Sequence, residues 1–262
     1  MNKEMIASNC LNMQYVLLKD MYFDDKKDTE NYILCSSNVM DDTFWNIAYL
    51  KNKINEETLA ELENEFKSIN RASSIYVGRD DANCNENKDL LLSNGYQLNN
   101  TDVYMELEDV KNLEITTNIK IVENEEEYND FMKVLASAYN DTTENADENV
   151  YADAVTDCYY QAVKNTMNSK EHLHMIVYDN DIPVCVATLN YVNGIGGINN
   201  VGTAQGHWNK GYGKQVMAFL INKFEELGGG ILTLSTEHQS KNQIFYEKLG
   251  FKEKYVIEQY IK

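Results

Sequence analysis

Changes in the spacing of apolar residues divide the C-terminal half of the chain into strands and helices. Helices are predicted where apolar residues recur at every third or fourth position, and strands where apolar and polar residues alternate or β-branched residues cluster. The predicted helices are 123–139, 150–166, 211–227 and 240–249. The predicted strands are 119–122, 172–179, 182–190, 194–204, 231–237 and 251–261, of which 231–237 is expected to be buried. From His172 onward the predicted order is βββ, α, β, α, β.

The N-terminal half repeats the later part of this order at an offset of about 155 residues. Trp45 and Gly95 are 50 residues apart, as are Asn200 and Gly250, and similar strand and helix patterns lie between the members of each pair. Consistent spacing of this kind indicates a duplicated domain. Chance correspondence between generic α/β elements is the alternative.

The segment 111–118 is the expected boundary between the halves, because one strand-like run ends before it and a new alternating run begins after it. We therefore expect an α/β fold of two tandem lobes, each with a mixed, mostly antiparallel sheet flanked by helices. The seam is placed near Leu113, which gives domains 1–113 and 114–262.

Composition restricts the classes of function. A formal charge of −19 at pH 7 disfavours binding to nucleic acids and anionic membranes, whereas it would suit a cationic amine. The five cysteines are odd in number and scattered, so we expect reduced thiols. His172 and His174 share a strand face, but no further ligand pattern completes a metal site, and structural histidines are expected. Because no targeting or membrane-spanning segment is found, a cytoplasmic location is expected.

The sequence KGYGK at 210–214 lies between a predicted strand and a predicted helix. Gly211 and Gly213 would let the backbone approach a bulky anion, and the free N–H groups of the first helical turn would bind it. A Rossmann motif would need a third glycine where Val216 stands, and no Walker motif occurs. The loop therefore predicts a phosphate site, with a tight packing turn as the alternative.

Two motifs follow in order in the last third of the chain. VGT at 201–203, followed by WNKGYG at 208–213, is similar to the central motif of the GNAT N-acetyltransferase family, and NQIFYEKLGF at 242–251 is similar to its later motif. The resemblance covers about 119–262 and is strong over roughly the last 60 residues. It implies GNAT-like lobes, a splayed central strand pair in the C-terminal lobe, and acetyl-CoA as cosubstrate.

The resemblance also implies roles for individual residues. Backbone N–H groups around 201–203 would hold the thioester carbonyl and the pantetheine arm, and the pairs at 196–197 and 199–200 suit a bulge that splays this strand. Tyr246 would be the general acid, with a packed helix tyrosine as the alternative. The family's usual Gln or Arg is Trp208 here, so the pyrophosphate would depend on backbone N–H groups and two lysines. The implied cofactor-binding residues are Val201, Gly202, Thr203, Trp208, Asn209, Lys210, Gly211, Tyr212, Gly213, Lys214, Gln239 and Asn242.

The general base is left open, and aromatic residues could form a wall for a cationic substrate. The candidate bases are Glu237, Asp153, Asp157 and Glu148. The candidate wall residues are Tyr151, Tyr159, Tyr160 and Tyr191. In the N-terminal half, the offset puts Glu56, Glu57 and Thr58 opposite the glycines of the loop, and Leu91 opposite Tyr246. Because carboxylates would repel a pyrophosphate, this half is interpreted as a degenerate GNAT-like lobe that serves packing or covers the cleft.

Three hypotheses remain at this point. The first is an acetyl-CoA-dependent N-acetyltransferase acting on an amine of a small molecule, an antibiotic or a peptide. The second is a non-catalytic acyl-CoA-binding sensor, which Trp208 favours slightly. The third is a scaffold in which KGYGK is a packing turn. A homodimer is left open.

Overall fold

A computed structural model describes residues 13–110, 114–139 and 150–262, with 150–156 described by their backbone alone. The chain forms two compact units: the first consists of Met1–Glu108 and Ser235–Lys262, and the second of Asp109–Leu234. The predicted seam near Leu113 lies outside the described residues. The division into domains 1–113 and 114–262 stays a prediction.

The second unit is a sheet flanked by helices. Its elements are β6 (Asn118–Ile121), α4 (Glu125–Tyr139), α5 (Val150–Thr166), β7 (His172–Asp179), β8 (Ile182–Val192), β9 (Ile195–Thr203), α6 (Tyr212–Glu226) and β10 (Ile231–Glu237), whose last residues belong to the first unit. Strands β6 to β9 pair antiparallel in chain order. Strand β10 pairs parallel with β9, since α6 supplies the crossover that a parallel connection requires.

The core of this unit lies between α4 and α6 and the central strands. The apolar spacing in 123–139 predicts a stripe of Tyr128, Phe131, Met132, Leu135 and Ala138. The first four are buried in α4, and Ala138 is half-buried. Strand β8 is buried from Val184 to Asn190, as expected for a central strand covered on both faces.

The strands of the first unit pair in both parallel and antiparallel directions. Its elements are α1 (13–18), β1 (Asp25–Asp28), β2 (Tyr32–Ser36), β3 (Ile47–Leu50), α2 (Glu56–Ser68), β4 (Ser74–Gly78), α3 (Cys84–Ser93), β5 (Gln97–Leu107), α7 (Lys241–Lys248) and β11 (Phe251–Ile261). Strands β1 to β3 are antiparallel and β4 is parallel to β3. The last strand of the chain, β11, lies between β4 and β5 and pairs antiparallel with both.

The predicted tandem fold is confirmed, because each unit contains three antiparallel strands followed by a helix and a parallel strand. These are β1–β2–β3–α2–β4 in the first unit and β7–β8–β9–α6–β10 in the second. The expectation that strand 231–237 is buried is wrong: Leu232 and Leu234 are buried while Ile231 and Glu237 are exposed, so one face of this strand meets water. Among the helices that the structure describes, none is long and apolar enough to cross a membrane.

Candidate functional site

Strand β9 contains a bulge near its C-terminal end. Its partner β8 pairs Thr188 with Asn199, and Val186 with Gly202, so one residue of β8 opposes two residues of β9. Asn200, inside the bulge, has a φ of +55°, in the left-handed region that asparagine tolerates better than most residues. The bulge predicted for this strand is therefore confirmed, and it bends β9 at the VGT motif.

The two neighbours of β9 follow it over different lengths. The β9–β10 pairs run from Ile195 to Ile198, whereas the pairing with β8 continues to Thr203. Among the pairs described for the second unit, the edge of β9 at 199–203 thus lies outside the β10 ladder. A strand edge that continues beyond its neighbour can offer backbone N–H and C=O groups to a ligand.

Helix α4 packs closely against this end of β9. A Cβ at Gly202 would lie 2.7 Å from the Cβ of Ala138, so the close approach of strand and helix requires glycine there. Ser137 Oγ accepts a hydrogen bond from the Gln205 N–H at 3.0 Å. Sequence reasoning missed this contact of Ser137, because nothing in the spacing of α4 distinguishes it from other polar positions.

The N-terminus of α6 is built to leave its N–H groups free. Gly211 is the N-cap with a φ of +89°, no side chain caps the helix, and the first turn contains no acidic residue. The first helical hydrogen bond runs from Gln215 N–H to the Gly211 carbonyl at 3.2 Å. The N–H groups of 212–214 come before it and therefore have no carbonyl partner within the helix. A Cβ at Gly211 would meet no atom within 4 Å, which leaves open space for an anion at the positive end of the helix dipole.

The loop before α6 and the first turn of this helix carry two exposed lysines and two aromatic side chains that are held by hydrogen bonds. Lys210 and Lys214 are exposed and form no ion pair with any residue the structure describes. Trp208 is 54% exposed, and its indole N–H donates to the Thr203 carbonyl at 2.8 Å, which closes the loop onto the end of β9. The Tyr212 hydroxyl donates to Asp179 Oδ2 at 2.5 Å, and this hydrogen bond raises the pKa of Tyr212.

The second unit thus brings together ten of the twelve predicted cofactor-binding residues, from Val201 to Lys214. The others, Gln239 and Asn242, belong with Tyr246 to the first unit. Both Gln239 and Asn242 are exposed. The Tyr246 ring packs against Phe245 and Phe251, with ring centroids 5.1 and 6.0 Å away.

The corresponding helix of the first unit, α2, begins differently. Its N-cap, Asn55, accepts a hydrogen bond from Thr58 N–H, and its first turn carries Glu56 and Glu57. The asparagine cap takes up one N–H group, and the two carboxylates offset the positive end of the helix dipole. Leu91, the counterpart of Tyr246, is fully buried in the apolar core.

The remaining candidates are dispersed. Asp157 lines an open groove of about 470 Å³ between α4 and α5, together with Tyr160, whereas Glu237 is an exposed residue of the first unit. Tyr191 instead donates a hydrogen bond to the Leu227 carbonyl at 2.7 Å. Glu148 lies outside the described residues, as do the side chains of Tyr151 and Asp153.

Both histidines of β7 are buried and hydrogen-bonded. His172 Nδ1 lies 2.7 Å from Asn190 Oδ1, and His174 Nδ1 lies 2.9 Å from Thr188 Oγ1. Burial lowers the pKa of His174 to about 3, with a smaller effect of the neighbouring His172. Sequence reasoning did not identify these partners, although polar residues at alternate positions of two adjacent strands are a signal for them.

Comparison with known proteins confirms the resemblance. Residues 132–251 match the model of the Acetyltransferase (GNAT) family. Among curated proteins, none matches the chain in sequence.

Solved structures share the fold over nearly the whole chain. A GCN5-related N-acetyltransferase from Kribbella flavida aligns with a TM-score of 0.67 and 14% identity, covering 96% of this chain and 94% of that one. A functionally unknown conserved protein from Staphylococcus epidermidis aligns with a TM-score of 0.69 and 14% identity, covering 94% and 96%. A tandem GNAT protein from the clavulanic acid biosynthesis pathway aligns with a TM-score of 0.58 and 8% identity, covering 96% and 87%. At such identities the likeness shows the fold alone.

Proposed function

Because residues 132–251 match the GNAT acetyltransferase family, we propose that this chain is an acetyl-CoA-dependent N-acetyltransferase that acetylates a primary amine of a small molecule, antibiotic or peptide. The observation that carries the proposal is the combination, within one unit, of a bulged β9 edge and an uncapped α6 N-terminus. The first suits a thioester and pantetheine arm, and the second suits a pyrophosphate.

The proposed reaction needs a neutral amine, a donor for the carbonyl oxygen and a proton for the leaving group. The amine nitrogen attacks the thioester carbonyl carbon, a C–N bond forms, and the C–S bond breaks. Backbone N–H groups of 201–203 would stabilise the oxyanion. The amine loses one proton to a base, and the departing thiolate gains one from an acid, for which Tyr246 is proposed on the family resemblance.

Binding of the cosubstrate is the first test. A ligand present at 100 times its dissociation constant stabilises the folded protein by about 2.7 kcal/mol, so acetyl-CoA should raise the melting temperature. Replacing both Lys210 and Lys214 with alanine should weaken binding about tenfold, at ~0.7 kcal/mol for each exposed charge. The matched control is Lys223→Ala in the last turn of the same helix, which should bind normally. An unchanged melting temperature of the native protein would refute the proposal.

Catalysis is tested separately, by release of free thiol from acetyl-CoA over a panel of amines. Tyr246→Phe should lower turnover by about 10²-fold or more while leaving acetyl-CoA binding intact. Unchanged turnover in this variant would remove Tyr246 from the mechanism without affecting the other assignments.

The second candidate function is a non-catalytic acyl-CoA sensor. It is favoured by Trp208, whose indole is held by the Thr203 carbonyl at the position where the family uses Gln or Arg. Acetyl-CoA binding without thiol release for any amine would support the sensor over the enzyme.

A further inference from the structure

Polar side chains from one helix and three adjacent strands form a continuous hydrogen-bonded chain that ends at the β9 bulge. The bonds join Asn200 Nδ2 to Thr188 Oγ1 at 3.2 Å, Thr188 Oγ1 to His174 Nδ1 at 2.9 Å, and His174 Nε2 to Thr166 Oγ1 at 3.0 Å. All four residues are at least 90% buried. Buried polar groups joined in this way fix one another's positions, because breaking any link leaves a partner unsatisfied.

The direction of each hydrogen bond follows from the last member. The Thr166 hydroxyl donates its proton to main-chain carbonyls one turn earlier in α5, at 3.1 Å, so its oxygen accepts from His174 Nε2–H. A neutral imidazole has one donor and one acceptor, and His174 Nδ1 therefore accepts the Thr188 hydroxyl proton. The Thr188 oxygen in turn accepts from the Asn200 amide.

These hydrogen bonds reach the bulge at a residue with a positive φ. Asn200 has a φ of +55°, and the hydrogen bond from its side chain to Thr188 ties that conformation to the neighbouring strand. A parallel chain joins His172, Asn190 and Asn199 at 2.7 and 2.8 Å. Thr188 and Asn190 lie on one face of β8, so the bulge turns two consecutive asparagines toward the same face.

We propose that Thr188 and His174 are positioning residues that hold the β9 bulge in the conformation in which its backbone N–H groups bind the thioester carbonyl. This inference rests on the proposed function. It assigns a role in cosubstrate binding to two buried side chains of β7 and β8.

The test uses acetyl-CoA labelled with ¹³C at the thioester carbonyl, because a hydrogen bond to that oxygen shifts the carbonyl resonance of the bound form. Thr188→Val removes the hydroxyl but keeps the shape, and Thr188→Ser restores it. In Thr188→Val we expect most of the bound-state shift to disappear and acetyl-CoA to bind about tenfold more weakly, the loss of one hydrogen bond of ~1.4 kcal/mol. Affinity for CoA, which keeps the pantetheine arm but lacks the thioester carbonyl, should fall less than affinity for acetyl-CoA.

Two further variants keep the test decisive. Asn200→Gly preserves the left-handed backbone while removing the side-chain link, and it replaces Thr188→Val if that variant fails to fold. Tyr178→Phe removes a hydroxyl of β7 that donates to Asp130 at 3.2 Å, and it should leave the resonance unchanged.

The outcomes separate this inference from the proposed function. A native protein that binds neither acetyl-CoA nor CoA refutes the proposed function itself. If the native protein binds acetyl-CoA but Thr188→Val gives the same carbonyl resonance, or Thr188→Ser behaves like Thr188→Val, the positioning role is overturned.

Discussion

Replacing Asp102 with asparagine should stabilise the protein at neutral pH. Asp102 lies in β5, paired with Ile257 of the central strand β11, and it accepts a hydrogen bond from Asn100 Nδ2 at 2.9 Å. Burial raises the pKa of its carboxyl to about 6. The hydrogen bond from Asn100 opposes this rise in pKa, and the charge of Glu237 adds to it. An asparagine oxygen can still accept from Asn100, while no charge is buried.

The magnitude follows from the pKa. A rise from the ordinary value of 3.8 to about 6 is worth about 3 kcal/mol, at 1.36 kcal/mol per pH unit. Because folded Asp102 holds its proton more tightly than the unfolded chain does, the cost of ionisation is absent below pH 3.8 and grows as pH rises. It is complete above about pH 6. Asp102→Asn should therefore gain about 3 kcal/mol at pH 8 and about half of that at pH 5.

Urea unfolding at pH 8 and pH 5 measures this difference, and both values lie above the isoelectric point of about 4.5. The matched control is Asp89→Asn on the exposed face of α3, which removes the same charge and should change stability by less than about 0.5 kcal/mol. A loss of stability in Asp102→Asn at pH 8, or an equal gain at both pH values, would refute the reasoning.

Three other perturbations have defined outcomes. Gly78→Ala puts a Cβ 1.4 Å from Tyr255 Oη and should lower the free energy of unfolding in urea by about 2–3 kcal/mol. An unchanged free energy of unfolding would mean that β4 and the Tyr255 side chain can move apart without cost. Glu258 is 5% exposed and lies 2.6 Å from Lys88 Nζ. Burial raises its pKa, but hydrogen bonds led by the one from Lys88 outweigh burial and lower it. Glu258→Gln should thus cost about 3 kcal/mol at pH 7 and less as pH falls through the lowered pKa, and a cost independent of pH would contradict this. Trp208→Phe removes the indole N–H and should weaken acetyl-CoA binding about fivefold by calorimetry. Unchanged affinity would show that the hydrogen bond from Trp208 to Thr203 is not needed for binding.

Much of the C-terminal half was predictable because its local patterns are strong. Helix α5 begins at Val150 and ends at Thr166, as the spacing predicts, and Ser240 caps α7 where a helix start is predicted. The bulge was also predictable, since small and amide residues at 196–200 tolerate the backbone it needs. By contrast, β1 consists of four polar residues, DKKD, and carries no strand signal of its own. It forms because β2 beside it is nearly all buried.

The candidate site was predicted in part for the same reason. The glycines and lysines of 210–214 predict an anion site, because a helix N-terminus needs no distant partner to bind one. The series of side-chain hydrogen bonds that links Thr166, His174, Thr188 and Asn200 could not be predicted. Its members come from four separate elements, and each has a role only through its hydrogen bonds to the others.

The sequence by itself determined the repeated order of strands and helices, the bulge and the uncapped start of α6, because each follows from local residue patterns within single elements and turns. Only the tertiary structure decided that β11, the last strand of the predicted second lobe, is a central strand of the first unit. The physical reason is that strand pairing is a contact between residues far apart in sequence. The buried run of β11, from Tyr255 to Tyr260, could be covered equally well in any sheet that packs against both faces of the strand.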